Sequence, residues 1–286
     1  MERTLGRVGT LLEMIKFSHT IFALPFALTG MVLAADGLPG PGTILWILAA
    51  MVGARTAAMA WNRIADAAID ARNPRTAERH LPAGTVRVEE AWALTLAGVV
   101  LLLLAAWALN PLCLKLAPLA LAVLFVYPYT KRFTTLCHYL LGLALAAAPL
   151  GAWMAVTGEW SWRILPLGLA VLLWVAGFDI LYALQDLDFD RTEGLHSVPQ
   201  RLGVGRSLRI AARLHLLLVA LLALQVPLFG LGWWYAAGLL AVAVLLFYEH
   251  SLVTPYDLSR MDAAFFTMNG VISVVVFAAT LVDVLL

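Results

Sequence analysis

Two stretches decide the reading of this chain: WNRIADAAID at 61–70 and FDILYALQDLDFD at 178–190. Each sets carboxylates at the end of a hydrophobic segment. The first carries Asn62, Asp66 and Asp70; the second carries Asp179, Tyr182, Asp186 and Asp190. They share a frame, since Asn62 to Tyr182, Asp66 to Asp186 and Asp70 to Asp190 are each 120 positions apart. Each is followed by Arg-Thr-x-x-x-His, from Arg75 to His80 and from Arg191 to His196. An internal duplication within a single domain spanning 1–286 is the simplest reading, with the paired motifs at 62–70 and 182–190.

Outward from these motifs the chain is apolar. Of 286 residues 62% are hydrophobic and 13% charged, and runs of roughly 20 apolar residues, enough to cross a bilayer as a helix, recur along its length. The pattern predicts an all-α, polytopic membrane helix bundle. Nine helices are expected, near 13–35, 43–70, 89–109, 111–128, 136–157, 163–189, 207–229, 232–250 and 262–285. A cytoplasmic N-terminus would put the loops after the second, fourth, sixth and eighth helices in the cytoplasm as well, where Lys and Arg concentrate. The N-terminal segment and those four loops, with their helix edges, hold 15 of the 19 Lys and Arg residues; the opposite loops hold only Lys115 and Arg163, and Arg55 and Arg63 lie within the second helix. An inner-membrane location follows for a bacterial chain. The first apolar segment contains Lys16 and His19, is long, and lacks a small-residue cleavage pattern, so it reads as a retained helix. Cys113 and Cys137 fall near opposite faces and are not expected to pair. A net charge of +1 argues against a nucleic-acid partner, and nothing in the sequence calls for an obligate protein partner.

At 100° per residue Arg55, Asn62, Asp66 and Asp70 share one stripe of the second helix. On the sixth, Asp179, Tyr182, Asp186 and Asp190 make a second stripe, with Asp188 on the opposite side. A carboxylate at the bilayer centre costs on the order of 3 kcal/mol, so a set of them implies cations, water or a cavity. Four acidic donors with Asn62 suit a hard cation. Mg²⁺ prefers few carboxylates plus substrate phosphate, which makes a magnesium diphosphate the expected ligand. Arg72, Arg75, Arg79, Lys131, Arg132, Arg191 and Arg201 surround the same face, and some can neutralise phosphate oxygens.

These residues carry a resemblance to the UbiA superfamily of intramembrane aromatic prenyltransferases. The motifs are Asn-x-x-x-Asp-x-x-x-Asp at 62–70, Asp-x-x-Tyr-Ala-x-x-Asp-x-x-x-Asp at 179–190 and Tyr-x-Tyr-Thr-Lys-Arg at 127–132. KFSHTIFALPFAL (16–28), RNPRTAERHLPAG (72–84) and YTKRFTTLCH (129–138) make the chain most similar to 4-hydroxybenzoate polyprenyltransferases and to the menaquinone enzymes of the futalosine route. One departure is Arg63, which follows Asn62 where many relatives have Asn-Asp, so one possible metal ligand is absent. The resemblance implies a nine-helix bundle around a central cavity, capped by the loops after the second and sixth helices. It also implies a polyprenyl diphosphate donor, an aromatic acceptor and Mg²⁺ as cofactor, in ubiquinone or menaquinone biosynthesis.

On that footing Asn62, Asp66, Asp70, Asp186 and Asp190 are the expected metal ligands, with Lys131, Arg132, Arg72 and Arg79 as diphosphate contacts and Arg75 and Arg191 as loop charges. Ionisation leaves an allylic cation that water would quench, so an apolar, aromatic cavity is needed, and the Tyr182 ring can face that cation. Arg55, about 10 Å deeper than Asn62, is expected to bind the acceptor's carboxylate, and Asp179 to orient its hydroxyl or take a proton. An Arg55–Asp179 ion pair is the competing reading, since intramembrane charges usually pair. His19 and His138 could line the acceptor pocket. The Trp residues read mostly as interfacial belts.

A cation-coupled transporter is the alternative from another class, but carboxylates gathered at one face rather than the midplane, beside basic loops, favour the enzyme. Within the family, haem, a chlorophyll precursor, homogentisate or a glycerol phosphate ether lipid are other acceptors.

Overall fold

In hydrocarbon every backbone N–H and C=O has to find a partner within its own segment, which leaves these apolar runs the helix. The computed structural model describes residues 2–16, 22–258, 260–261 and 267–286. Its helices are α1 (Glu2–Met14), α2 (Leu24–Ala35), α3 (Pro41–Asp70), α4 (Val88–Leu109), α5 (Pro111–Thr130), α6 (Cys137–Thr157), α7 (Leu165–Tyr182), α8 (Leu187–Glu193), α9 (Val198–Leu202), α10 (Val204–Ala223), α11 (Gln225–Phe229), α12 (Trp233–Ser251) and α13 (Asn269–Leu285). Among the described residues seven spans are long and apolar enough to cross a membrane, and α2 and α13 are shorter apolar helices. Among the described residues, these seven spans and two shorter apolar helices correspond to the nine expected segments.

Neighbours follow one another around the bundle: α3 packs on α4, α4 on α5, α5 on α6, α6 on α7, α7 on α10, α10 on α12, α12 on α13, and α13 on α2, which also packs on α6. Small residues set the closest approaches, as they do where hydrophobicity cannot drive helices together. A Cβ on Gly53 of α3 would sit 2.7 Å from the Leu102 nitrogen of α4, and one on Gly98 of α4 would sit 2.5 Å from the Ala57 nitrogen of α3. The main core joins Phe26 of α2, Trp174 and Phe178 of α7, Leu218 and Leu222 of α10, Tyr235 of α12 and Ile272 of α13. Leu96, Trp107, Leu119, Leu240 and Phe247 are exposed, the outward-facing apolar surface that lipid would cover.

Two expected helices are broken, each for a local reason. The run near 207–229 divides at Leu224 into α10 and α11. Pro227 has no N–H for the carbonyl of Ala223, so the ladder cannot continue. The run near 163–189 ends as α at Tyr182, tightens into a 3₁₀ turn at Ala183–Asp186 and resumes as α8. The turn falls where Asp186 is drawn toward the loop after α3 by Asn73 and Arg75. The single stripe expected from Asp179 to Asp190 is thus carried by the end of α7, the 3₁₀ turn and α8 rather than by one helix.

α1 is a separate amphipathic helix lying against α3 and α4. Arg7 Nε donates to Glu90 Oε1 at 2.9 Å and its Nη1 to the Thr85 carbonyl at 2.7 Å. Two α3 arginines hold its C-terminal end: Arg63 Nε donates to the Met14 carbonyl at 3.1 Å and Arg55 Nη2 to the Lys16 carbonyl at 3.0 Å. Cations at the carbonyl end of a helix satisfy acceptors that the helix itself leaves open.

Candidate active site

α3 runs unbroken for 30 residues, which keeps Asn62, Asp66 and Asp70 on one face as the spacing required. Asp66 and Asp70 are buried. Asn62 Nδ2 donates to Asp66 Oδ2 at 3.1 Å, and Lys131 Nζ, just beyond the C-terminus of α5, reaches the same oxygen at 2.8 Å. Asp66 Oδ1 is buried without a hydrogen-bond donor among the described residues, with Arg132 Nη2 3.8 Å away. Asp70 is held by Arg79, whose Nη1 lies 2.8 Å from both carboxylate oxygens. Arg79 comes from the loop after α3, so that loop folds back over the helix that precedes it.

The same loop crosses to the second motif. Asn73 Nδ2 donates to Asp186 Oδ1 at 2.8 Å, and Arg75 grips Asp186 with Nε at 2.8 Å and with Nη2 on the other oxygen. Arg75 also donates through Nη1 to the Tyr182 hydroxyl at 2.8 Å, with its guanidinium carbon 5.0 Å from the ring centroid. Burial weakens the Arg75 cation, but the hydrogen bonds and charge of Asp186 outweigh it and push its pKa above the usual arginine range. Asp190 on α8 accepts from Ser197 Oγ at 2.8 Å. Asp188, which the stripe excluded, is fully exposed.

Deeper in the membrane Asp179 does not pair with Arg55. Its Oδ2 lies 2.6 Å from His138 Nδ1. Arg55 turns one nitrogen to the Lys16 carbonyl, and its Nε is buried without a partner among the described residues. Arg72 and Arg132 sit further out: Arg72 Nη2 pairs with Glu193 at 2.8 Å, and both arginines line an open cleft of about 500 Å³ against Ile64–Ile69 of α3. Arg132 also stacks on Tyr129 at 4.8 Å. His19 lies outside the described residues.

The predicted residues fall into contact groups, Asn62 and Lys131 on Asp66, Arg79 on Asp70 and the loop after α3 on Asp186, while Arg72 and Arg132 line the cleft beside α3. Asn73 and Arg75 are added to them. Both lie in a loop whose basic residues are expected from membrane topology alone; Arg75, expected to be a loop charge, is signalled only by its place near the acidic face and at the head of one of the two Arg-Thr-x-x-x-His repeats. Arg63, where a further acidic ligand was the alternative, points away to α1.

Among the described residues no three His, Cys, Asp or Glu side chains converge on one point, because each carboxylate is turned to a cationic or hydroxyl partner. The donor set still fits Mg²⁺. It offers hard oxygens, one of them the buried and unpartnered Asp66 Oδ1, and Mg²⁺ completes its shell with substrate phosphate and water rather than with an all-protein cage.

The sequence matches the UbiA prenyltransferase family over residues 23–271. A 4-hydroxybenzoate octaprenyltransferase of Vibrio campbellii is 32% identical over 246 residues, covering 86% of each chain. One from Citrobacter koseri is 34% identical over 242 residues, covering 83% of this chain and 82% of its own. The solved structure of a UbiA homologue from Aeropyrum pernix K1 aligns with a TM-score of 0.85 and 37% identity, over 93% of this chain and 98% of that one. A UbiA homologue from Archaeoglobus fulgidus bound to DMAPP and Mg²⁺ shares the fold, with a TM-score of 0.70 and 21% identity over 97% and 99% of the two chains.

Proposed function

The chain belongs to the UbiA prenyltransferase family and is a prenyl-transferring membrane enzyme, and on that premise we propose that it moves a polyprenyl group from its diphosphate to a carboxylated aromatic acceptor such as 4-hydroxybenzoate or 1,4-dihydroxy-6-naphthoate. The observation that carries this reading is the bridge of Asn73 and Arg75 from the first motif to Asp186 of the second, which makes one anion-handling site of two motifs.

Asn62, Asp66, Asp70, Asp186 and Asp190 would hold Mg²⁺, which supplies positive charge against the leaving diphosphate. Lys131, Arg75 and Arg79 stand beside these carboxylates with N–H groups suited to diphosphate oxygens. Arg72 and Arg132 add positive charge at the outer edge. As the allylic carbon–oxygen bond breaks, its electron pair leaves with diphosphate, and the Tyr182 ring is suited to face the cation that develops. Arg55, whose Nε N–H has no partner among the described residues, is the seat for the acceptor's carboxylate. Asp179 orients the acceptor hydroxyl and takes its proton as the ortho ring carbon forms the new carbon–carbon bond. The dienone so formed loses its ring proton to the departed diphosphate and recovers the hydroxyl proton from Asp179, which restores the aromatic ring and the base.

The test offers a polyprenyl diphosphate with either acceptor to membranes containing the wild type or Asp66→Asn, with product read by mass spectrometry. Product from the wild type that disappears with chelator and in the variant is the expected result. Folded wild-type protein that binds the diphosphate yet prenylates neither acceptor would overturn the acceptor class, and failure to bind the diphosphate at all would overturn the donor.

A further inference from the structure

A buried link joins the acceptor end of the site to the segment that follows the second motif. His138 opens α6, is 2% exposed, and places Nδ1 2.6 Å from Asp179 Oδ2. Its other nitrogen, Nε2, lies 3.2 Å from the backbone nitrogen of Val198. A backbone amide can only donate, so Nε2 has to accept there. The ring that satisfies both contacts is neutral, with its proton on Nδ1 and directed at Asp179. Asp179 then has one oxygen held and its other oxygen unengaged among the described residues.

Val198 ends a short strap with contacts to the rest of the site. The His196 N–H donates to the Lys131 carbonyl at 2.6 Å, Cys137 Sγ meets the His196 carbonyl at 3.4 Å, and Ser197 Oγ donates to Asp190 at 2.8 Å. Leu195–Val198 thus touches the backbone of the Lys131 segment, a carboxylate of the second motif and, through His138, the deep carboxylate. The other titratable groups around the pair are Tyr127 on α5, Cys137 on α6 and Asp190 on α8.

We propose that His138 is a positioning residue for prenyl transfer, aiming the unengaged oxygen of Asp179 at the acceptor and tying that aim to the Leu195–Val198 strap. This rests on the reading of Asp179 as the group that takes the acceptor's proton. His138 keeps its own proton throughout, because Nε2 is occupied and offers no exit.

The replacements separate its two bonds. His138→Asn keeps an N–H near the Nδ1 position but does not reach Val198; His138→Gln reaches toward Val198 but loses the donor to Asp179; His138→Ala loses both. In the full-length enzyme the Ala and Gln variants are expected to lose about tenfold to a hundredfold in kcat, the scale of a misaligned catalytic group. KM for the diphosphate should stay within about twofold, since the diphosphate contacts are untouched, and the Asn variant should recover most of the rate. A second readout needs no acceptor: ¹⁵N-histidine spectra should show His138, identified by its loss in the Ala variant, protonated at Nδ1 and bare at Nε2, with the Nδ1 signal shifted in Asp179→Asn. The proposal is overturned by a wild-type kcat in the Ala variant, by equal losses in all three variants that track their melting temperatures, or by a proton found on Nε2. A wild type inert toward both acceptors overturns the functional reading and the base role with it. The spectra tell that outcome apart from failure of the His138 link itself.

Discussion

Arg75 shows how much of the site hangs on one side chain: it grips both oxygens of Asp186, donates to the Tyr182 hydroxyl and stacks on its ring. Arg75→Ala leaves Asp186 with Asn73 alone and removes a cation from the proposed diphosphate end. KM for the diphosphate should rise about tenfold or more, since a hydrogen bond to a charged group contributes about 1.5–3 kcal/mol. Arg75→Lys should recover only part of this, because a lysine cannot reproduce the two-pronged guanidinium fork. Steady-state kinetics of the two variants decide the point, and a wild-type KM in both would show that Arg75 serves only to hold the loop. The sequence made Asp66, Asp70 and Asp186 visible because carboxylates beside hydrocarbon call for a reason. It did not do so for Asn73 and Arg75, since a basic loop on the cytoplasmic side is explained already and nothing periodic in a loop says where its side chains turn. Arg63 was hidden in the opposite sense. It looked like a missing ligand, whereas its partner is the Met14 carbonyl of a helix far away in sequence.

At the scale of the element, α3 has to stay straight and close to α4 for its polar face to be presented at all. Gly53 and Gly98 allow that approach, and Gly98→Val would drive a branched side chain onto the α3 backbone near Ala57. A loss of about 1–3 kcal/mol, the usual cost of overpacking, should lower the melting temperature of the detergent-solubilised protein by several degrees. The same change at Gly205, with nothing within 4 Å of its would-be Cβ, should cost less. Equal melting for both variants would contradict the close α3–α4 contact. The apolar runs made such helices legible, since length and hydropathy are properties of a segment. Their interruptions were legible only in part. The break before Pro227 follows from a missing N–H and could be read from the residue itself. The 3₁₀ turn at Ala183–Asp186 ends on a carboxylate that Asn73 and Arg75 reach from another loop, and no local rule announces a partner more than a hundred residues away.

For the whole molecule, the seven long spans and two shorter apolar helices fix which ends lie together but not which side of the membrane each faces. The charge distribution supplies the direction. The loop with Arg72, Arg75 and Arg79 and the Lys131–Arg132 turn are basic, the Arg191–Arg201 segment adds two arginines, and these are the parts that carry the charged site. Positive loops are retained in the cytoplasm, where a soluble diphosphate head group and Mg²⁺ would meet a donor whose tail lies in the bilayer. The turn after α2, in contrast, holds Asp36 and no basic residue. Two exposed positions can be compared after Cys113 and Cys137 are replaced by alanine: Leu38 in that turn and Glu78 in the basic loop after α3. In intact cells a membrane-impermeant maleimide should label Leu38→Cys and leave Glu78→Cys untouched, with both labelled once the membrane is opened. The reverse pattern would place the charged site on the outer face, away from the compartment that the basic loops indicate.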